Sequence, residues 1–167
     1  LHCYFVGTDL IHYERWTNLV GHAYTDDPQL KEWVITTVEK PLIGAAENAP
    51  DGAENVAVFP GNEMVGSRWI MIFSEGLKKQ HLAGAVSDDL MNWKHIGAID
   101  IELQDWMRVR YGAPYVWKET DGYVMILMGE NESAETTFGL LTSDDGIHWS
   151  MLKEEKDKPM QSIHLYS

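Results

Sequence analysis

The sequence predicts an all-β fold, a β-propeller of four-stranded antiparallel blades with about three blades present in 167 residues. Three observations predict it. First, the stretch Ala85-Val86-Ser87-Asp88-Asp89-Leu90-Met91-Asn92-Trp93 is repeated almost letter for letter by Leu141-Thr142-Ser143-Asp144-Asp145-Gly146-Ile147-His148-Trp149. A looser copy, with two extra residues, runs from Ala23-Tyr24-Thr25-Asp26-Asp27 to Trp33, and a fragment stands at Asp9-Leu10-Ile11-His12-Tyr13. The three tryptophans are spaced by 60 and 56 residues, and a steady period of this size marks one supersecondary unit used repeatedly. Second, short apolar runs of strand composition, separated by turn residues, surround each motif. Third, amphipathic helices are lacking, and only Ile101–Met107 offers one helical turn. Four strands per repeated unit is the pattern of propeller blades. A β-sandwich of short strands, or a sheet protein that never closes, is the alternative, and the regular period favours blades.

In order, Leu1–Trp16 begins with the strand Leu1–Val6 and turns through Thr8-Asp9. Leu19–Tyr24 is a second strand, closed by the turn Thr25-Asp26-Asp27-Pro28, since Asp and Pro together favour turn initiation. Trp33–Val38 has strand composition, and Pro41–Asn55, with Gly44, Pro50 and Gly52, reads as a loop. The clearest unit follows. Asn55–Pro60 is a short apolar strand, and Gly61–Ser67 is a turn. Arg68–Ser74 is a continuous apolar run, as expected of a strand covered on both faces. Glu75–Gln80 is a polar connection, His81–Ser87 a third strand and Lys94–Ile99 a fourth. The order then recurs as Gly112–Trp117, the turn Thr120-Asp121-Gly122 (Asp-Gly is a tight-hairpin signal), Tyr123–Gly129, Glu130–Glu135 and Thr136–Thr142. A last strand begins near Met151 and enters the charged Lys153–Lys158. The blades are thus expected at roughly 1–44 (partial), 54–100 and 111–158, with another starting at 159–167.

The repeated motif has a structural purpose. Its Asp carboxylate can accept backbone N–H bonds from the next residues and fix the hairpin between third and fourth strands, while its Trp packs back over the turn. These residues are read as scaffold.

Composition excludes several functions. A formal net charge of −13 argues against nucleic acid, which needs clustered Lys and Arg, and against an anionic membrane surface. Seven Trp and seven Tyr suit a β-rich core and sugar-stacking surfaces. The single cysteine, Cys3, allows no internal disulfide and no cysteine-based zinc site. Seven histidines without tight spacing make a metal site a poor expectation, and no cofactor is expected. There is neither an apolar run of membrane-spanning length nor a signal peptide, and the compartment is left open between cytoplasmic and exported.

The chain resembles the five-bladed propeller glycosidases, both the invertase and levansucrase families and the arabinanase and xylosidase families. The residues that carry the resemblance are Gly21–Asp27, Arg68–Ser74, Ala85–Trp93, Gly112–Trp117 and Ser143–Trp149. The resemblance implies a glycoside hydrolase acting on oligo- or polysaccharide. A complete propeller at this period needs about five units, so a fragment, or a partial propeller completed by another chain, is expected; an open sheet edge is otherwise a liability.

Such enzymes carry their carboxylates near the starts of innermost strands, here Glu54-Asn55 and Arg110-Tyr111-Gly112. Antiparallel topology puts the links Ala45–Glu54 and Asp100–Tyr111 and the connections Glu75–Gln80 and Glu130–Glu135 on that same face, and the Asp-turn-Trp motifs on the opposite one. Glycoside hydrolysis usually needs two carboxyls, a general acid and a base or nucleophile. The resemblance implies Glu54 as the acid: Glu54–Phe59 matches the families' Glu-x-Pro-x-x-Phe, with Val56 where proline is usual. A carboxyl beside an apolar strand is expected to favour its neutral form. Pro114 is preceded by Gly112 and Ala113, so no carboxylate stands before it; the families carry none in the blade after the acid blade, and one in the acid-modulating blade. Either the partner carboxylate belongs to sequence N-terminal to Leu1, or the protein is a non-catalytic relative that binds carbohydrate or protein. Arg110 and Tyr111 are candidates for sugar hydroxyls, Trp106 for stacking on a pyranose, and Glu75 and Glu130 for further substrate contacts; Asp100 and Asp105 lie on the same expected face.

Overall fold

The apolar runs become the strands of three sheets in the computed structural model, which describes residues 1–8, 18–43, 52–76 and 79–152. The first sheet holds β1 (His2–Thr8), β2 (Asn18–Tyr24) and β3 (Val34–Ile35) in that order. The middle sheet holds β4 (Ala53–Pro60), β5 (Trp69–Glu75), β6 (His81–Ser87) and β7 (Lys94–Ala98) as a four-stranded antiparallel meander. The third sheet follows the same meander with β9 (Arg110–Glu119), β10 (Gly122–Glu130), β11 (Thr136–Ser143) and β12 (His148–Met151). These are propeller blades. The motif after β2 matches those after β6 and β11, so β1, β2 and β3 correspond to the second, third and fourth strands of a blade.

Two expectations need correction, and a third is made specific. The strand expected over Trp33–Val38 shrinks to Val34–Ile35, because Thr36 and Thr37 turn their hydroxyls onto His22. The link after β7 does not run directly to the candidate-site face. Its residues Asp100–Ile101 form β8, which pairs in parallel with β12, so Asp100 sits beside His148 at the outer edge of the third sheet. The helical turn expected within Ile101–Met107 is a single 3-10 turn, Asp105–Met107. The Asp9–Tyr13 fragment, much of the 45–54 link, Lys153–Lys158 and the unit starting at 159 lie outside the described residues.

The core explains why β5 reads as an unbroken apolar run. Successive strand residues face opposite sides. Ile70 and Ile72 point into a cluster shared with Tyr123, Met125, Leu127 and Trp149 of the third sheet, while Met71 and Phe73 point toward Val20 and Ile43 beside the first. The middle sheet is thus covered on both faces. The third sheet is covered on one: along β10, buried residues alternate with half-buried ones. Phe5, Val6, Val34 and Ile35 of the first sheet are exposed. Among the described residues no helix is long and apolar enough to cross a membrane.

The three Asp-turn-Trp motifs have one geometry. Asp27 accepts N–H bonds from Gln29 and Lys31, Asp89 from Met91 and Asn92, and Asp145 from Ile147 and His148. The indole N–H of Trp33, Trp93 or Trp149 donates to the carbonyl three residues before it, on Leu30, Leu90 or Gly146. That residue takes a left-handed φ in all three, 58°, 66° and 82°. The Asp27, Asp89 and Asp145 carboxylates and the three indoles each hold their own hairpin, which is the scaffold role expected of them.

Candidate functional site

Glu54 is the second residue of β4, at the start of the innermost strand, opposite Ser74 of β5. The register then slips: Ala57 pairs with Ile72, which leaves one extra residue in β4, a β-bulge. Asn55 sits in this bulge with φ +53°. Asparagine is one of the few residues other than glycine that adopts this left-handed conformation routinely. The bulge re-aims the half-buried Glu54 side chain at the strand's mouth.

Both carboxylate oxygens of Glu54 are engaged. Oε2 accepts a bond from the Asn18 side-chain amide at the start of β2. Oε1 accepts one from Gln80 Nε2, in the β5–β6 connection, at 2.5 Å. Asn18 Oδ1 in turn accepts from the Thr8 hydroxyl at 3.2 Å. The chain Thr8–Asn18–Glu54–Gln80 therefore spans the first and middle sheets. Amide groups carry both a donor and an acceptor, and a hydroxyl can serve as either. As observed, each amide donates to one Glu54 oxygen, and the Thr8 hydroxyl donates to Asn18. Both of these partners of Glu54 are amides.

The other sequence candidates separate into two groups. Tyr111 lies close to Gln80: its backbone N–H donates to the Gln80 carbonyl at 3.1 Å, and it is half-buried. Burial pushes its phenol above the ordinary tyrosine value, so it presents a neutral hydroxyl. Glu75 pairs across the strand with Ala53, so it faces the side of the sheet opposite to Glu54, where it meets His81 at 3.2 Å. Glu130 holds Arg110 at 2.6 Å, and Asp105 holds Arg108 at 2.7 Å. The ring of Trp106 lies over Gly129 and Gly139, filling the space where their side chains would be. Arg110, Glu75, Glu130 and Trp106 thus each have a partner within the chain.

Beside Gln80 opens a cleft of about 540 Å³, lined by Lys79, His81, Leu103, Gln104, Arg108 and Tyr111 among others. It has room for a sugar ring, and Gln80, which also holds Glu54, is part of its lining; Glu54 itself is not. A hollow of about 620 Å³ lies at the turn end of the middle blade by Arg68 and Asp88. There Asp88 already accepts the Arg68 N–H, and the hollow's other carboxylate, Glu63, stands on the β4–β5 turn, at the opposite end of β4 from Glu54. Among the described residues, no three of the His, Cys, Asp and Glu side chains are grouped to hold a metal ion.

Sequence reasoning missed Asn18 and Gln80. No motif marks them; only the fold brings residues 18, 54 and 80 together. It also missed the equivalence of the two bulges. In the third sheet Gly112 pairs with Met128 and Tyr115 with Ile126, and Ala113 in the resulting bulge has φ +52°. Gly112 therefore occupies in β9 the place that Glu54 occupies in β4.

No family model matches the chain, and no curated protein matches it at significance. Solved structures do. One is a glycoside hydrolase, with TM-score 0.71 and 18% identity over 99% of this chain and 51% of that one. Another is sucrose-6-phosphate hydrolase from Lactobacillus gasseri, with TM-score 0.68 and 14% identity over 89% of this chain and 30% of that one. A third is β-1,2-mannobiose phosphorylase from Listeria innocua, in complex with β-1,2-mannobiose, with TM-score 0.61 and 16% identity over 97% of this chain and 39% of that one. The chain spans about half or less of each of these. The three sheets are therefore blades of the five-bladed propeller fold found among glycoside hydrolases.

Proposed function

We propose that this chain carries the general-acid part of a glycoside hydrolase site, with Glu54 as the acid and the cleft beside Gln80 as the sugar-binding space. One observation carries the reading. Glu54 alone among the candidate carboxylates sits at the bulged mouth of an innermost strand with both oxygens held by amides from two other segments. Tyr111, in that cleft, and Arg110 beside it are assigned to sugar hydroxyls; Glu130 is assigned to holding Arg110, Trp106 to packing over β10 and β11, and Glu75, on the other face of the sheet, to the scaffold. Similarity of fold to enzymes that cleave glycosidic bonds supports the substrate class. The base or nucleophile would come from outside the described residues. The apolar outer faces of the first and third sheets are where the rest of a closed propeller, or another chain, would pack.

The test is turnover of a panel of aryl glycosides and oligosaccharides, with and without inorganic phosphate, by the protein and by Glu54→Gln. General-acid catalysis contributes about 10²–10⁴-fold, so a loss of that size is expected, with near-UV circular dichroism unchanged. Undiminished turnover by the variant would remove Glu54 from the mechanism. A second reading, a carbohydrate-binding propeller without catalysis, is favoured by the absence of a carboxylate at Gly112. Saturable sugar binding by the wild-type protein with no turnover would establish it.

A further inference from the structure

We infer that Gln80 is the positioning residue of Glu54, and that Gly112 is the slot that admits it. Its catalytic meaning rests on the reading of Glu54 given above; its geometry does not. The backbone of Gln80 is fixed to β9 because its carbonyl accepts the Tyr111 N–H at 3.1 Å. Its side chain then passes over Gly112 to reach Glu54. A Cβ at position 112 would lie 2.9 Å from Gln80 Oε1 and 3.1 Å from its Cδ, and 2.5 Å from Ser74 Oγ.

Neither neighbour can give way freely. Ser74 is fully buried and lies across from Glu54, and its hydroxyl accepts the Ala113 N–H at 3.0 Å. Moving it breaks the bond that ties the third sheet's bulge to the middle sheet. Moving Gln80 releases Glu54. A side chain at position 112 therefore requires Ser74 Oγ and the Gln80 amide to shift from the places they hold. The glycine at the third sheet's equivalent of Glu54 and the orienting amide on Glu54 are one feature: Gly112 is the floor on which that amide lies. A long glutamine left in solvent samples many rotamers, whereas one confined between Gly112, the Tyr111 anchor and Glu54 does not. Asn18 does the same for the other oxygen, itself held by Thr8.

The test reads Glu54 directly. The full chain is prepared with glutamate labelled with ¹³C at the side-chain carboxyl, and the Glu54 resonance is assigned by its loss in Glu54→Gln. At fixed pH the resonance is followed in Gln80→Met, Gly112→Ala and the double variant. Gln80→Met keeps the length of the side chain and alters no backbone bond, so it remains informative even where Gly112→Ala folds poorly. Both single variants should move the Glu54 resonance in the same direction and by similar amounts, and the double should move it no further. A resonance unmoved by Gln80→Met overturns the proposal, as do shifts that add in the double variant. The readout needs no turnover. An inactive protein with the expected shifts would sink the hydrolase reading and leave this one standing; an active protein with an unmoved resonance would do the reverse.

Discussion

The middle and third sheets are the same blade twice, and they differ where it matters. Each has a bulge at the same point of its innermost strand, with a left-handed residue in it, Asn55 or Ala113. Each closes its third hairpin with a bonded Asp and an indole donating to a left-handed carbonyl. The hairpin end is repeated because it solves a folding problem common to every blade. The bulge end has diverged. One sheet carries a carboxylate there; the other carries a buried glycine that serves its neighbour. Equivalent positions in a repeat protein are structurally equal, but only one of each pair need face the ligand.

The largest effect should come from making the two sheets alike. Gly112→Glu restores the side chain that the repeat pattern expects. The new Cβ collides with Ser74 and Gln80, and the new carboxyl must find room beside Glu54. Overpacking alone costs about 1–3 kcal/mol, and the variant should lose about 3 kcal/mol in urea unfolding. A variant as stable as the wild type, with Gln80 still on Glu54, would break the equivalence drawn between the two bulges.

The blades were legible in the sequence because they rest on local chemistry. The Asp turn, the Trp that follows it and the doubly covered β5 run each leave a pattern within about ten residues. His81–Ser87 was read to the residue, and β9 to β11 to within about two at each end. Glu54 was found from its place in the repeat. Its partners were not, since Asn18 and Gln80 reach it through contacts 36 and 26 residues apart in sequence. The outward path of Asp100–Ile101 was also unreadable, because a two-residue parallel pairing leaves no periodicity.

A smaller effect should separate the two hairpin turns. Leu90 and Gly146 occupy the same left-handed position, yet only one is glycine. The reason is packing rather than backbone. A Cβ on Gly146 would stand 2.8 Å from Ile70 Cδ1 and 3.0 Å from Phe59 Cε2, inside the core between the sheets. Gly146→Ala should therefore cost about 2 kcal/mol, the sum of left-handed strain and crowding. Leu90→Gly should change stability by less than about 0.5 kcal/mol, since relief of strain is offset by the greater freedom of an unfolded glycine. Equal losses in the two variants, read as urea midpoints, would show that the left-handed φ alone decides the residue.

The smallest difference is in how the turns respond to pH. Burial pushes the Asp145 carboxyl upward, but the N–H bonds from His148 and Ile147, the His148 ring and the Ser143 hydroxyl outweigh it and hold the group down at about 2. Asp89 is likewise held well below the usual carboxylate range, by the backbone and side chain of Asn92 and the backbone of Met91. A folded value below the unfolded one means that both carboxylates stabilise the fold above about pH 4, and that this is lost as pH falls toward 2. Position 148 breaks the symmetry: its imidazole bonds Asp145 at 2.6 Å, where the middle sheet has Asn92. That bond raises the His148 value above the ordinary one. A raised folded value gives stability that is full below about pH 6 and fades as pH climbs through the folded value. His148→Asn makes the third turn a copy of the middle one. Relative to this variant, the wild-type urea midpoint should therefore decline slightly between about pH 6 and about pH 8.5, while both proteins still lose stability together below pH 4. A decline that survives the substitution would place the alkaline sensitivity elsewhere, with His22 excluded as its source: burial, then His2, lowers its value, so its contribution runs in the opposite direction.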